Sequence, residues 1–539
     1  MAFTVRNALA GLAMAGLMLP EAVAYAGIAG LAPGRALIAA VAGGLAYALV
    51  GRSRFAVVSP TSSSAAILAA SLGSLVAGPG GAAATAANAT ALTLLAGGLF
   101  IALAAARLGS LAGFIARPVL RGFALGLALT IIIRQLPAMT GVPAPPGTVG
   151  AVAWAVLEQM PHWHVATLAC GLGALVLLLL LRCWPGVPGA LIVLVLGIAG
   201  ASLPGFARLG IAQAGPTPLV LSMPVLPADP AQWLRLVPLA VPLVLILFAE
   251  SWGTIRSLAL ARGDALNANR ELAALGLANT AAALAQGMPV GAGFSAGSAN
   301  AASGATSRAA GVMAALALLA LALWAGPLTA RLPQPVLAAV VMAALAHALS
   351  PEPLLRPWKL GRDRWTAPAA ALGVLALGVL DGLLLAVGLS LAQLLYRLAH
   401  PSLSELGQIS QGHDFVDRAA HPEAAAVPGV AIYRPNAPLF FANAETVLAL
   451  VARRAQRPGA PVVVVLSLEE SDDLDSTAAE VIGELHKTLA ARQGRLILAR
   501  THDRARAVLA AAGLDDLARN ATFSVADAVA LAQTAPAGH

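Results

Sequence analysis

Long apolar stretches separated by short polar loops recur along the chain up to about residue 400. Stretches of about 20 apolar residues match the thickness of a lipid bilayer. The pattern predicts an α-helical polytopic membrane domain over residues 1–400. Its fourteen predicted segments are 8–31, 35–51, 60–72, 87–106, 113–136, 164–182, 186–203, 236–260, 268–287, 294–306, 308–326, 333–350, 366–380 and 382–399.

Two of these segments are too short to cross a bilayer and are rich in serine and glycine. The third is preceded by Ser59 and opens with Pro60–Ser64, and the tenth is preceded by Gly291–Gly293 and opens with Phe294–Ser298. Each is the third of a group of seven, and the first segment of each group contains a glutamate, Glu21 or Glu250. Such matched anomalies predict an inverted repeat of seven plus seven segments. The alternative is that both stretches are ordinary small-residue packing surfaces between helices.

The composition changes after Pro401, where charged residues become frequent and strand patterns alternate with helix patterns. This order predicts a small α/β domain over residues 428–539, with residues 401–427 as a linker. The predicted strands are Gly429–Arg434, Pro438–Phe441, Pro461–Leu468 and Arg495–Ala499. The predicted helices are Ala444–Gln456, Thr477–Arg492, Arg504–Ala512 and Val525–Gln533.

Composition supports a membrane protein and excludes a nucleic-acid binder. Hydrophobic residues make up 59% of the chain and charged residues 11%, against roughly 25% charged in ordinary soluble domains. The net charge is +8, but the basic residues lie between apolar spans instead of clustering on one soluble face. The two cysteines, Cys170 and Cys183, would lie about 20 Å apart on a helix, which is too far for a disulfide bond.

The basic residues of the loops predict the orientation in the membrane. Basic residues are retained on the cytoplasmic side, and the bias here places both termini there, in a bacterial-type inner membrane. The predicted outer loops contain Arg35, Arg134, Arg208, Arg235 and Arg331. The predicted inner loops contain Arg52, Arg54, Arg107, Arg117, Arg121, Arg182, Arg262, Arg270, Arg308, Arg356, Lys359, Arg362 and Arg364.

The two short segments also predict a binding site for a small anion. If they are half-helices whose N-termini face one cavity, their free N–H groups and helix dipoles attract negative charge. Irregular backbone persists within a membrane only where it lines a cavity or is buried in protein. No lysine or arginine is placed at this point of the sequence. The residues predicted to contact the anion are Glu21, Thr61, Ser62, Ser63, Ser295, Ala296, Gly297 and Ser298.

Glu21 and Glu250 are the predicted proton-coupling residues. An ionised carboxylate near the middle of a span costs at least about 3 kcal/mol, so Glu21 is expected to be protonated part of the time. Close to an anion, its charged form would repel the substrate. The alternatives are that Glu21 only forms a hydrogen bond with a neighbouring helix, and that Glu250 forms an ion pair with Arg256.

Neither a metal site nor a cofactor site is predicted. The run Pro161–His164 resembles a two-histidine clamp, but no third ligand follows nearby, so a surface loop is favoured. Asp475, Ser476 and Thr477 precede a predicted helix, and simple N-capping by Asp475 is favoured over a functional role.

Several short motifs occur in the order found in one known family. They are Pro20–Pro33, Gly51–Arg54 followed by Ser59-Pro60, Arg107–Gly109, Arg117–Val119, Gly122-Phe123, Asn269–Leu272, Gly276–Asn279 and Pro289–Gly304. Together they resemble the sulfate permease (SulP) family of anion transporters. Val427–Asn443 and Asp475–Thr477 resemble its C-terminal STAS domain, named for sulfate transporters and anti-sigma-factor antagonists. The resemblance covers nearly the whole chain.

The resemblance implies a transporter, not an enzyme, in which a core of segments 1–4 and 8–11 slides against a gate of segments 5–7 and 12–14. Substrate would bind between half-helices 3 and 10, and many members form homodimers. Two departures matter. Ala296 stands where many members have arginine, and Glu21 where many have glutamine. Both lower the positive charge at the site, which favours proton symport and leaves sulfate, bicarbonate and dicarboxylates open as substrates.

Other functions compatible with this pattern are an anion exchanger, a channel, a nucleobase-type permease and a membrane-anchored sensor whose transport is vestigial. Nucleobase permeases lack the C-terminal domain seen here. A flux measurement separates the carriers and channels from a sensor, and saturation separates a carrier from a channel.

Overall fold

The computed structural model describes residues 5–73, 75, 81–110, 117–143, 147–184, 189–215, 223–260, 262–350, 355, 364–409, 412–457, 459–461 and 463–534. The loop cations Arg356, Lys359 and Arg362, and the first residues of the predicted segments 113–136 and 186–203, lie outside these residues. The chain divides into two compact units, Met1–Ser390 and Leu391–His539.

Helices dominate the chain up to residue 399. They are α1 (Val5–Ile28), α2 (Pro33–Val50), α3 (Ser62–Gly73), α4 (Gly81–Ala105), α5 (Arg117–Thr140), α6 (Val149–Glu158), α7 (Val165–Leu181), α8 (Gly189–Ala201), α9 (Pro230–Leu260), α10 (Ala268–Leu284), α11 (Phe294–Ala302), α12 (Ala309–Thr329), α13 (Gln334–Leu345), α14 (Thr366–Leu377) and α15 (Val379–Ala399).

The prediction of a polytopic helical membrane domain is confirmed, since each predicted segment overlaps one of these helices. Among the described residues, six helices are long and apolar enough to cross a membrane: Val5–Ile28, Pro33–Val50, Ala83–Ala105, Pro118–Thr140, Pro230–Leu260 and Val379–Ala399. Helix α6 was not predicted. It has 10 residues, too few to cross a bilayer, and its N-cap is Thr148, whose hydroxyl accepts a hydrogen bond from the Ala151 N–H (3.3 Å).

The helices pack mainly in two groups. In the first group, α1 contacts α12 and α2, α10 contacts α4 and α2, and α4 contacts α9. In the second group, α5 contacts α14 and α13, and α7 contacts α13 and α8. Helices α3 and α11 each contact α1 and α9, so the first group comprises the segments that the family resemblance assigns to the core. The second group comprises the segments assigned to the gate except the last one, α15.

Small residues allow the closest of these contacts. A Cβ at Gly97 of α4 would lie 2.5 Å from Thr280 Oγ1 of α10, and a Cβ at Gly122 of α5 would lie 2.1 Å from the Ala367 carbonyl oxygen of α14. Helices in lipid associate through close packing because lipid tails are as apolar as the side chains. Any larger residue at these two glycines would force the helices apart.

A two-stranded sheet lies inside the first unit, directly before the two short helices. Strand β1 (Val58–Ser59) precedes α3 and pairs antiparallel with β2 (Gly291–Ala292), which precedes α11. The backbone of β2 is held by the buried side chain of Asn279, which accepts from the Val290 N–H (3.0 Å), and by Ser251, whose hydroxyl accepts from the Ala292 N–H (2.9 Å). These bonds provide acceptors for backbone N–H groups of an extended segment in an apolar interior, where unpaired backbone polar groups are energetically costly.

The second unit contains a five-stranded sheet in the order β4-β3-β5-β6-β7. Strands β5, β6 and β7 are parallel, whereas β3 pairs antiparallel with β4 and β5. Its elements are β3 (Leu403–Gln408), β4 (Phe415–Asp417), β5 (Val430–Pro435), α16 (Ala444–Ala455), β6 (Val463–Ser467), α17 (Ser476–Ala490), β7 (Arg495–Ala499), α18 (Asp503–Ala511), α19 (Asp515–Arg519) and α20 (Val525–Thr534).

Both faces of this sheet are covered, which explains its apolar strands. Alternate residues such as Val464 and Leu466 of β6 pack with α16 to α19, whereas Val465 packs on the other face with α20. The predicted α/β domain is therefore confirmed in class.

Two details of the C-terminal prediction are wrong. Residues 401–427, predicted as a linker, contain β3 and β4 of the sheet, and Leu406 lies opposite Ile432. Ser404 donates a hydrogen bond to Asp417 across this hairpin (2.6 Å), and with the Ala419 N–H it lowers the pKa of that carboxyl. The strands were missed because they are short and contain glutamate, glycine and aspartate, which are uncommon in strands.

The predicted strand Pro438–Phe441 is a loop. The buried side chain of Asn443 accepts from the Phe440 N–H (3.0 Å) and donates to the Pro438 carbonyl (2.9 Å). Such side-chain hydrogen bonds replace the ladder that a strand would need.

The hairpin leads to a prediction about truncation. A chain ending at Val427 keeps β3 and β4 without their partner β5, so it presents an unpaired strand edge and the apolar side chain of Leu406. Exposed edges promote aggregation. We expect a chain ending at His400 to insert and elute as one species in size-exclusion chromatography, and the chain ending at Val427 to aggregate. Equal behaviour of the two would contradict the structural role of the hairpin.

Candidate functional site

The strand pair brings the starts of α3 and α11 close together. Ser59 lies opposite Gly291 in the sheet. The Thr61 methyl group lies 3.8 Å and 3.7 Å from the positions that a Cβ would take at Gly291 and Gly293. The sequence prediction that the third and tenth segments meet at their N-terminal ends therefore agrees with the geometry.

The N-terminus of α3 is partly capped by its own side chains. The Ser64 N–H donates to Thr61 Oγ1 (3.1 Å), and the Thr61 N–H donates to Ser64 Oγ (2.9 Å). This reciprocal arrangement satisfies one of the helix's free donors. The N–H groups of Ser62 and Ser63 have no partner among the described residues.

The N-terminus of α11 is more open. Its N-cap residue is Gly293, which has no side chain, and the first intrahelical bond runs from the Gly297 N–H to the Gly293 carbonyl (3.0 Å). Within the described part of the chain, the N–H groups of Phe294, Ser295 and Ala296 have no partner. Three free N–H groups at the positive end of a helix dipole are suited to an anion.

A cavity of about 340 Å³ lies beside this end of α11. Glu21 of α1 and both Ser295 and Ser298 of α11 line it, together with Arg182 at the end of α7. Glu21 is 8% exposed, so its carboxyl belongs to the buried part of α1 and reaches the cavity from there. Three of the eight residues predicted to contact substrate are thus brought together around one space.

The other five predicted residues do not line this cavity. Thr61, Ser62 and Ser63 are at the start of α3. The side chain of Ala296 is buried, with the residue 3% exposed, so only its backbone N–H group is available to bind an anion. A Cβ at Gly297 would lie 2.8 Å from Leu258 of α9, and its N–H is already bonded.

Helical periodicity explains the last two placements, because it points the side chains at 296 and 297 away from those at 295 and 298. The continuous run of predicted residues therefore includes side chains that do not face this cavity.

Glu250 of α9 is tied to α3 and not to Arg256. The Ser63 hydroxyl donates a hydrogen bond to the Glu250 carboxylate and also lies 3.0 Å from Thr61 Oγ1. Arg256 is exposed and forms no ion pair with Glu250, both residues being within the described chain, so that alternative is wrong. Tyr25 lies close enough to interact electrostatically with both Glu21 and Glu250, which places the two carboxyls in one region of the protein.

Sequence reasoning missed Arg182. It was assigned to an inner loop as an orientation signal, although it caps the C-terminal end of α7 and borders the cavity. No local motif marks it, because its position near Glu21 depends on how α7 packs with α8 and α13 and how α1 approaches them.

The weaker candidates have structural roles. The His164 side chain caps the N-terminus of α7 and contacts Thr167 Oγ1 (2.7 Å), and His162 is exposed. Within the described residues, no group of three potential metal ligands occurs. Asp475 caps α17 by accepting from the Ala478 N–H (2.8 Å) and also accepts from the Phe441 N–H (2.7 Å).

Comparison with known proteins supports the family resemblance that the sequence motifs indicate. Residues 5–365 match the model described as "Sulfate permease family", and residues 421–529 match the STAS domain. The chain is 34% identical over 521 residues to a probable sulfate transporter of Mycobacterium tuberculosis, covering 95% of this chain and 91% of the relative. It is 27% identical to the high affinity sulfate transporter 1 of Stylosanthes hamata, covering 91% and 78% of the two chains.

Solved structures share the fold. The murine anion transporter Slc26a9 in its inward-facing state superposes with a TM-score of 0.89 at 21% identity, covering 99% of this chain and 92% of that chain. The transmembrane domain of the cyanobacterial bicarbonate transporter BicA gives a TM-score of 0.60 at 23% identity, covering 71% and 97%. With the family match over residues 5–365, these findings show that the chain belongs to the sulfate permease family and has a C-terminal STAS domain.

Proposed function

We propose that the protein is a secondary active transporter that moves a small oxyanion of the sulfate, bicarbonate or dicarboxylate class together with a proton. The anion binds in the cavity beside α11, and the proton binds Glu21. The core carries both between the two sides of the membrane by moving against the gate. The proposal includes the seven-plus-seven repeat, a homodimer, and an inner-membrane location with both termini in the cytoplasm.

The observation that supports this most directly is the lining of the cavity. The free N–H groups at the start of α11 provide an attraction for negative charge, and the hydroxyls of Ser295 and Ser298 provide further donors. Glu21 provides a carboxyl that is buried and yet borders the same space. An anion site next to a titratable carboxyl is the minimum requirement for coupled movement of an anion and a proton.

Binding of the two substrates should be cooperative. The charged Glu21 repels an anion in the cavity, and the protonated Glu21 does not. A proton therefore raises the affinity for the anion, and by linkage the anion raises the affinity for the proton by the same factor.

Ser63 and Glu250 hold the start of α3 in place through their hydrogen bond. The probable transporter of Mycobacterium tuberculosis and the high affinity transporter of Stylosanthes hamata are named for sulfate, and sulfate is the first substrate to test.

Flux through the purified protein in proteoliposomes tests the proposal. We expect uptake of labelled sulfate, bicarbonate or succinate to saturate with concentration and to increase when the outside is made more acidic than the lumen. A substrate at 100 times its dissociation constant should also stabilise the protein by about 2.7 kcal/mol in a thermal-shift measurement. Flux that rises without saturation would indicate a channel. Flux that ignores the pH gradient would indicate an exchanger, and the absence of flux would favour a sensor.

A further inference from the structure

We infer that Arg182 is an anion ligand contributed by the gate. Its side chain selects oxyanions and binds anions that arrive from one side of the membrane only. This inference rests on the proposed function and identifies a residue of the same site. Among the described residues that line the cavity, Arg182 and Glu21 are the charged ones. With Ala296 buried where many members of the family have arginine, Arg182 is the cation that remains to balance an anion in this space.

The guanidinium of Arg182 is available for a ligand. Its backbone N–H donates to the carbonyls of Leu178 (3.1 Å) and Leu180, and among the described residues its side chain has neither a hydrogen bond nor an ion pair. Three other arginines of this unit, in contrast, have partners. Arg35 donates to the Ala86 carbonyl (2.8 Å) and to Thr90 (2.9 Å), Arg54 pairs with Asp264, and Arg308 donates to the Gly51 carbonyl.

The chemistry of the side chain indicates the class of ligand. A guanidinium presents a planar fork of N–H donors that matches two oxygens of a carboxylate or sulfate, and it stays charged at all accessible pH values. A halide ion is a single atom and offers no pair of oxygens to the two N–H donors. Together with the hydroxyls of Ser295 and Ser298, Arg182 therefore favours oxyanions over chloride.

The position of Arg182 makes its effect depend on conformation. It caps α7, which packs with α8 and α13 in the second helix group, whereas Glu21 and the two serines belong to α1 and α11 in the first group. They border one cavity in the arrangement described here. Movement of one group against the other would change the distance from Arg182 to the serines. Arg182 should accordingly raise affinity for anions arriving from the side at which α7 ends, the cytoplasmic side in the predicted orientation.

Transport by Arg182→Gln, Arg182→Lys and Arg208→Gln proteins, with sulfate and chloride as the probes, tests this assignment. Arg208 is a matched control, because it is exposed and lies outside the cavity lining. Loss of a charge-assisted hydrogen bond corresponds to a loss of roughly tenfold or more in affinity. We expect Arg182→Gln to raise KM for sulfate by that factor at the cytoplasmic face and to leave KM at the opposite face and the KM for chloride nearly unchanged. Arg182→Lys should keep the charge and lose the preference for sulfate over chloride.

Several results would overturn the assignment. One is a KM for sulfate that Arg182→Gln leaves unchanged at both faces while wild type and Arg208→Gln transport sulfate, and in that case the proposed function stands without it. A second is an equal rise in KM at both faces, which removes the dependence on conformation. A third is an Arg182→Lys protein with the wild-type preference for sulfate. If wild type transports none of the tested anions, the proposed function fails, and this inference with it. Elution as a single species shows for each variant that it is folded.

Discussion

We expect a Glu21→Gln protein to exchange anions across the membrane and to lose the ability to accumulate them against a gradient. Glutamine keeps the shape and the hydrogen-bonding capacity of the side chain, but it cannot take up or release a proton. An electroneutral cycle needs one proton for a singly charged anion and two protons for a doubly charged anion such as sulfate. With bicarbonate and one proton, each unit of pH difference drives about tenfold accumulation, because one pH unit equals about 1.4 kcal/mol. Wild type should approach that ratio in proteoliposomes, whereas Glu21→Gln should stay at equal concentrations inside and outside.

The surroundings of Glu21 support this expectation. Glu21 is 8% exposed within α1, and charge in the middle of a span is costly. Among the described residues, the charged or titratable groups near it are Tyr25 on its own helix, Glu250 on α9 and Arg182 at the end of α7. Glu250 is engaged by Ser63, so Glu21 is the carboxyl that borders the cavity itself.

Two further glutamates extend this experiment, one as a control and one as a second test. Glu158 at the end of α6 is exposed, so Glu158→Gln makes the same chemical change away from the site and should accumulate anions like wild type. Glu250→Gln tests the second predicted coupling residue. If Glu250→Gln loses accumulation and Glu21→Gln keeps it, the coupling role belongs to Glu250. If both keep it and the lumen is acidified as in wild type, neither glutamate couples the proton.

A Ser298→Phe protein should insert and fold but should neither bind nor transport the anion. Ser298 lines the cavity of about 340 Å³ beside the start of α11, and a phenyl ring there would occupy the space that the substrate needs. The milder Ser298→Ala change removes one donor and should weaken binding roughly tenfold to a hundredfold, as expected for a hydrogen bond to a charged group. Thermal shift with sulfate and uptake into proteoliposomes measure both effects.

Leu316→Phe is the matched control for this substitution. Leu316 of α12 is 46% exposed, so the same aromatic ring is added to a surface outside the cavity and should leave transport unchanged. Ser62→Phe tests whether the start of α3 also faces the substrate, since Ser62 does not line the cavity in the arrangement described here. Wild-type uptake by Ser298→Phe would show that the anion binds elsewhere.

The sequence by itself determined the class of the protein and the location of its unusual helices. Apolar segments up to residue 400 identify membrane helices because lipid imposes one length and one polarity on every span. The serine- and glycine-rich starts of α3 and α11 could be found because Gly and Ser are needed there for local backbone reasons. The parallel strands β5, β6 and β7 were visible as apolar runs, since they are buried on both faces.

Tertiary structure decided which side chains meet. The role of β3 and β4 depends on pairing with β5, and no local pattern in residues 401–427 shows such a partner. Helical rotation turned Ala296 towards the packed interior and left Ser295 and Ser298 at the cavity. The partner of Glu250 is Ser63, 187 residues away, and Arg182 reaches the cavity through the packing of α7. Contacts between distant segments depend on how helices pack against one another, and single-sequence periodicity contains no information about that packing.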